Sequence, residues 1–370
     1  MTYARTARKQ YSAMRRKHGA PLRSAVHGYA RDRAIQSNIS GLALFLAKYL
    51  SGKGNIRVST GGSGAYGISR TEAAGRTRYD ITVPEWGSYK LPLDDKDKYR
   101  VYRSGVWHES MHAKHTPEEV FTFGTKGDAV AEPLAHDVIN IIEDRRIEDL
   151  GVKEWKGYAP ERLFTNAFAW SRRMDVGDFW KAYLAQHFDE SKGEYTVDDG
   201  YVNTRKANMR HEAFLQRLLV GKIKGGREIP AVERDRIERV AEYVEGELRR
   251  LEGVGDQHRI FERLADLTRK VIKDLELQWY QPKITRKGES SWDQTFEPRP
   301  TDPKDKQATK AGIDDYFDEI MSVEVVCEKC GKHYAKKYGL REGEEARAFK
   351  EEVERMGKET EKEKKGEEPK

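Results

Sequence analysis

Residues 139–148 read Ile-Asn-Ile-Ile-Glu-Asp-Arg-Arg-Ile-Glu, so five charged side chains sit inside an apolar helical pattern. Ala131, Leu134, Val138, Ile142 and Ile147 hold one stripe, which predicts a helix from about Ala129 to Leu150, ended by Gly151. An acidic run on a helix is usually a solvated face. Here the flanking isoleucines argue for burial, and a buried charge needs a partner. This segment constrains the fold more than any other, because its carboxylates must meet something.

The preceding helical pattern, from about Tyr102 to His115 and stopped by Thr116-Pro117, offers a candidate partner. Residues 107–112 read Trp-His-Glu-Ser-Met-His, an HExxH motif. Histidines at i and i+4 share a helical face one turn apart, so two imidazoles can reach one Zn²⁺ at about 2.0–2.1 Å. Glu109 then lies beside the open coordination position, where it can act as general base toward a water acidified by the metal. A catalytic zinc needs a third protein ligand, and Glu143, on the next helix, fits a His₂Glu set. Asn140 and His136 share its face and offer to orient a ligand or stabilise an oxyanion, while Asp144 and Arg146 are expected to point elsewhere into ion pairs. His115 is an alternative ligand that reads more simply as an outer or solvent-facing group, and Glu118 is a second alternative. Tyr158, His187 and His211 are candidate transition-state donors among which the sequence does not choose. The competing reading is a surface helix with two unrelated histidines.

The HExxH motif followed by a helix of the form Asn-x-x-Glu-Asp-x-Arg-Ile-Glu resembles the gluzincin-type zinc metallopeptidases, and more closely the metallopeptidase-like domain of CobT-like proteins associated with von Willebrand factor A domains. The Ile-Thr-Val-Pro segment at 81–84 also fits, and the resemblance covers about residues 79–150. It implies a zincin-like α+β core with a small mixed sheet and an active-site helix. It further implies His108, His112 and Glu143 as zinc ligands, Glu109 as base, and a peptide or protein substrate. The chain lacks the Asp-x-Ser-x-Ser metal site of an A domain and the longer metzincin motif, since His115 and Glu118 replace that motif's glycine and third histidine.

Around this centre the chain divides into a basic arm (1–35), the metallopeptidase core (36–150), a mainly helical region (151–280), a linker with a Cys knuckle (281–340) and a charged tail (341–370). A core helix is expected over Asn38 to Tyr49 and a short strand over Ile56 to Val58. The glycines at 61, 62 and 64 lack the Lys-Ser/Thr ending of a phosphate loop. Pro84 restricts the Tyr79–Trp86 strand to a sheet edge or a strand end, and an edge near Ile81 to Glu85 would let an extended peptide add by backbone pairing.

Cys327, Cys330 and His333 form half of a zinc ribbon, a candidate second zinc site needing a further ligand, with vestigial or redox readings beside it. Two cysteines make no disulfide framework, which points to the cytoplasm. Fifteen Asn plus Gln against 35% charged residues is the bias of proteins that work hot, hence an expected thermophilic source. No apolar run approaches the roughly 18–20 residues of a membrane span. The net charge of +6 is concentrated in the arm, where nine basic residues face one acid, Asp32. Such an arm can neutralise nucleic-acid phosphates or simply be solvated, and its composition also loosely fits a transit peptide. The sequence thus favours a zinc-dependent metallopeptidase. The alternative is a non-catalytic, zinc-stabilised binding or scaffolding protein whose arm holds nucleic acid or an assembly partner. Oligomeric state is not legible.

Overall fold

The computed structural model describes residues 41–61, 66–73, 75–86, 89–123, 132–189, 194–195, 199–278, 293–296 and 302–322. The basic arm, the Cys327/Cys330/His333 knuckle, the charged tail and most of the glycine loop at 61–64 lie outside them, as do Asn38 and Ala129.

The fold is α+β, mostly helical with one small mixed sheet. Helix α1 (residues 41–51) leads into β1 (Ile56–Gly61), β2 (Gly67–Ala73) and β3 (Arg76–Pro84). The sheet order is β1-β3-β2, with β1 parallel and β2 antiparallel to β3, and Val58, Ile81 and Ile68 in one register row. The strand expected at an edge is therefore central, and the pairing of a peptide to Ile81–Glu85 is corrected: β1 and β2 already occupy β3 on both sides. Pro84 is tolerated because it is the last residue of the strand. Tyr79, Ile81 and Val83 alternate inward to the core while Arg78 points out. β2 is left as an edge strand.

Helix α2 (Asp95–His115) begins well before the expected Tyr102, because Asp94 caps it by accepting from the Asp97 N–H at 2.8 Å. Its acidic first turn and basic last turn complement the helix dipole. The α2 backbone lies close to the start of β2 at Gly105, where an added Cβ would run into the Tyr66 ring. After a 3₁₀ turn (Glu118–Thr122) comes α3 (Glu132–Glu154). It does not stop at Gly151. That glycine instead lets the two helices approach, since a Cβ there would fall 2.6 Å from Trp107 and 2.8 Å from Met111. Gly151→Ala is accordingly expected to destabilise by about 1–3 kcal/mol through overpacking, despite the better helix propensity of alanine; equilibrium urea unfolding measures it.

The remaining helices are α4 (Ala159–Arg172), α5 (Val176–His187), α6 (Asp199–Leu215), α7 (Ala231–Arg250), α8 (Gln257–Asp274) and α9 (Pro303–Ser322), with a two-stranded ribbon, β4 (Phe188–Asp189) and β5 (Glu194–Tyr195), before α6. Helix α3 packs against α2, α8 and the turn at 216–220, and its residues 141–148 are all buried. A π-helical turn (Gln216–Val220) ends at Gly221 with φ 84°. Its loosened carbonyls are taken by three side chains from three helices: Leu218 O by Arg145 (2.9 Å), Leu219 O by Asn166 (3.1 Å) and Val220 O by Tyr316 (3.0 Å). Tyr316 belongs to α9, so the stretch expected to be a linker contains a helix packed into the core. The main apolar core likewise runs without a break from Ala43 to Tyr316 and crosses the boundary expected near residue 150. Among the described residues no helix is long and apolar enough to cross a membrane.

Candidate metal centre

α2 and α3 run antiparallel, and each brings a pair of polar residues at i,i+4 spacing to their shared face. His108 lies opposite Glu148, and His112 lies opposite Asp144. His112 Nε2 is 3.1 Å from His108 Nε2 and 3.0 Å from Asp144 Oδ1, and His108 Nε2 is 3.5 Å from that same oxygen. An ion bound tetrahedrally at about 2.0–2.1 Å requires ligand atoms about 3.3 Å apart. The triangle fits that demand.

The remaining polar atoms agree. His108 Nδ1 lies 3.1 Å from Glu148 Oε1, and His112 Nδ1 lies 2.9 Å from Thr116 Oγ1. With each Nδ1–H donated to these oxygens, both Nε2 atoms present lone pairs to the same point. Asp144 Oδ2 is buried without a hydrogen-bond partner among the described residues, a cost that a nearby cation would offset. A buried His108-His112-Asp144 group able to bind a metal ion is therefore present.

Glu143, the expected third ligand, is not part of it. Its carboxylate is fully buried and held by Arg146, with Nε at 2.7 Å from Oε2 and Nη2 at 2.6 Å from Oε1. Arg146 also donates to the His115 carbonyl at 2.7 Å, so this pair fastens α3 to the C-terminal end of α2. One residue along a helix turns a side chain by about 100°, and on a helix buried all round the apolar stripe does not say which acid faces the histidines.

Glu109 is 3% exposed, and no hydrogen-bond partner to its carboxylate is found among the described residues. Burial pushes its pKa up and the Asp144 charge adds to this, while His108 and His112 pull the other way; the net direction is up. It lines a pocket of about 530 Å³ together with His112, Asp144, Asn140, Ile68 and Phe121. A second pocket of about 450 Å³, touched by Tyr66, Ser104, His108 and Arg162, reaches Glu109 as well.

His136 and Asn140 also line the larger pocket. The His136 ring is occupied on both nitrogens, by the Phe123 carbonyl at 3.1 Å and by Asn140 Nδ2 at 3.2 Å, which removes it as an oxyanion donor. His115 lies 3.2 Å from Glu154, outside the cluster, and burial pulls its pKa down to about 4. Glu118 is an ion-pair partner of Arg70 on β2. Tyr158 stacks on Trp107 with centroids 4.8 Å apart, and His211 lies 3.0 Å from Asp137; neither lines these pockets. The His187 side chain is outside the described residues.

Glu148 was not singled out by the sequence, yet it links His108 to a buried network. Arg162 Nε lies 2.9 Å from Glu148 Oε2, and Arg162 also binds Asp149 at 2.7 Å, which in turn accepts from Arg145 at 2.9 Å. The signal was present as an Asp144/Glu148 pair spaced like the two histidines. Glu148→Gln is expected to weaken metal affinity roughly 10- to 100-fold, the usual effect of losing a carboxylate behind a metal-binding histidine; chelator competition measures it.

The cluster also sets a pH dependence. Burial pushes His108 down, but hydrogen bonds and charge from Asp144 and Glu148 more than offset this, so its pKa is raised. Burial pushes Asp144 up, but the two histidines pull it down to about 2. The histidine's contribution to stability is complete below its unfolded pKa of about 6.5 and is lost as pH rises through the folded value. That of Asp144 is complete above about 3.9 and is lost as pH falls toward the folded value. The chelated protein is thus expected to resist urea best between about pH 4 and 6.5, as a series of urea midpoints across pH would show. Metal binding at neutral pH should release protons.

Compared with family models, curated proteins and solved structures, the chain shows no match in any of the three.

Proposed function

We propose that the chain is a zinc-dependent metallopeptidase, with His108, His112 and Asp144 holding the metal and Glu109 as general base. The observation that carries this reading is the convergence of His108 Nε2, His112 Nε2 and Asp144 Oδ1 on one point beside Glu109 in an open pocket. A zinc ion there would supply Lewis-acid polarisation of the scissile carbonyl and acidification of water. Glu109 takes the proton of the attacking water and passes it to the leaving amine nitrogen, and its raised pKa suits both directions of transfer. Glu148 and Thr116 hold the two imidazoles in one tautomer throughout.

The substrate reading moves from β3 to β2. Gly67 and Ile68, on the edge strand, line the pocket beside Glu109, so an extended peptide can pair with β2 while its scissile bond faces the cluster. Ile68, Val120 and Phe121 offer an apolar wall for one substrate side chain. The reading is tested by digesting a peptide library with and without a chelator. Cleavage that stops with the chelator and returns with zinc is expected. A protein that carries zinc yet cuts nothing would favour the non-catalytic binding role instead.

A further inference from the structure

Helix α1 has its aromatic face on the wrong side for a core helix. Ala43, Ala47 and Leu50 seat it against the protein, while Leu42, Phe45 and Tyr49 face outward. These are three of the six large hydrophobic residues exposed among the described residues, and Tyr49 is 60% exposed. The Phe45 and Tyr49 rings lie parallel within 8° at 6.0 Å, and Trp155, just beyond α3 and partly buried against the core, lies 5.2 Å from Tyr49 with its ring tilted by 51°. Lys48 is exposed beside them, and no ion-pair partner to it is found among the described residues. Glu154, next to Trp155, is already taken by Lys114 and His115.

The charge of the surrounding sequence selects the occupant. From residue 1 to 57 there are twelve basic side chains against the single acid Asp32, and seven of the nine in the first 35 residues are arginines. Arginine binds phosphate through a planar fork and stacks on bases. Two exposed rings at the end of an arginine-rich, acid-poor segment match the two requirements of single-strand binding: stacking surfaces for unpaired bases and cations for the backbone. A membrane surface would also attract the charge. It would ask for deep aliphatic side chains, however, and here only Leu42 accompanies the rings on a helix whose other face is seated on the core.

We propose that Phe45 and Tyr49, backed by the partly buried Trp155, form a stacking platform for single-stranded nucleic acid, with Lys48 beside them and the basic sequence preceding α1 supplying cations for its phosphates. The site is separate from the metal cluster in its residues and does not depend on the metallopeptidase reading.

The test is fluorescence anisotropy with the full-length protein and labelled oligonucleotides of about 20 nucleotides, a length that spans a typical single-strand site. Oligo-dT and oligo-U arms distinguish DNA from RNA, and a duplex arm and vesicles containing phosphatidylserine serve as competitors. The single strands are expected to bind more tightly than the duplex, with affinity falling steeply as salt rises. Phe45→Ala and Tyr49→Ala should each weaken binding roughly tenfold or more without changing the salt slope, while Tyr49→Trp retains it. Wild-type affinity in the double alanine variant would overturn the platform, leaving the arm alone as the binder. So would absence of single-strand binding, preference for the duplex, or displacement of the oligonucleotide by the vesicles.

Discussion

Glu109→Gln is expected to lower kcat/KM for peptide hydrolysis by roughly a hundred- to ten-thousandfold while leaving zinc content unchanged. The substitution keeps the shape of the side chain and removes its ability to take a proton. Glu109 contributes no atom to the converging ligand triangle, so its loss as a base should not release the metal. Its surroundings argue for an effect near the upper part of that range: the carboxyl is desolvated, its pKa is raised, and it faces the pocket that His112 and Asp144 share. Peptide turnover measured beside zinc content checks both halves. Unchanged turnover in this variant would remove Glu109 from the mechanism.

The second large effect separates two adjacent carboxylates. Asp144→Asn keeps the size of the side chain but gives up the charge that faces both histidines, so zinc affinity should fall by more than the roughly 10- to 100-fold typical of an outer partner. Glu143→Ala should do something different. It leaves Arg146 buried without its carboxylate and loosens the clamp on the His115 carbonyl, at a cost of about 3–5 kcal/mol in stability. Zinc affinity of the folded fraction should stay within a few-fold of wild type. Competition with a chromophoric chelator and urea unfolding of the same preparations measure the two effects. Metal loss in the Glu143 variant with retention in the Asp144 variant would restore the His₂Glu set.

That pair also shows how far the sequence could be read. The histidine spacing placed His108 and His112 on one helix face with Glu109 beside them, and all three line the pockets beside the cluster. The next helix was equally legible as an element. Its orientation was not, because the stripe of Val138, Ile142 and Ile147 is informative only for a helix with one wet side, and this one is enclosed. Asp144/Glu148 matching His108/His112 at the same spacing is a pairing signal that composition and stripe both overlook. Strand order was illegible for a related reason. Pro84 restricts the end of β3 but says nothing about its middle, and only the pairing with β1 and β2 makes the strand central. Gly151 read as a helix stop, yet it marks a helix crossing, since small size and positive φ select the same residue for different purposes. α9 was hidden because its apolar residues, including Ile313 and Tyr316, are sparse among charges and follow a proline-rich stretch.

The proposed chemistry rests on one zinc ion held by His108, His112 and Asp144. Its most direct test is the zinc content of the purified protein carrying Cys327→Ser and Cys330→Ser, which removes the other candidate site, compared with the same protein also carrying Asp144→Asn. About one zinc per chain is expected in the first, as a single three-ligand site requires, and close to none in the second. No zinc in the first protein, or the same zinc content in both, would contradict it.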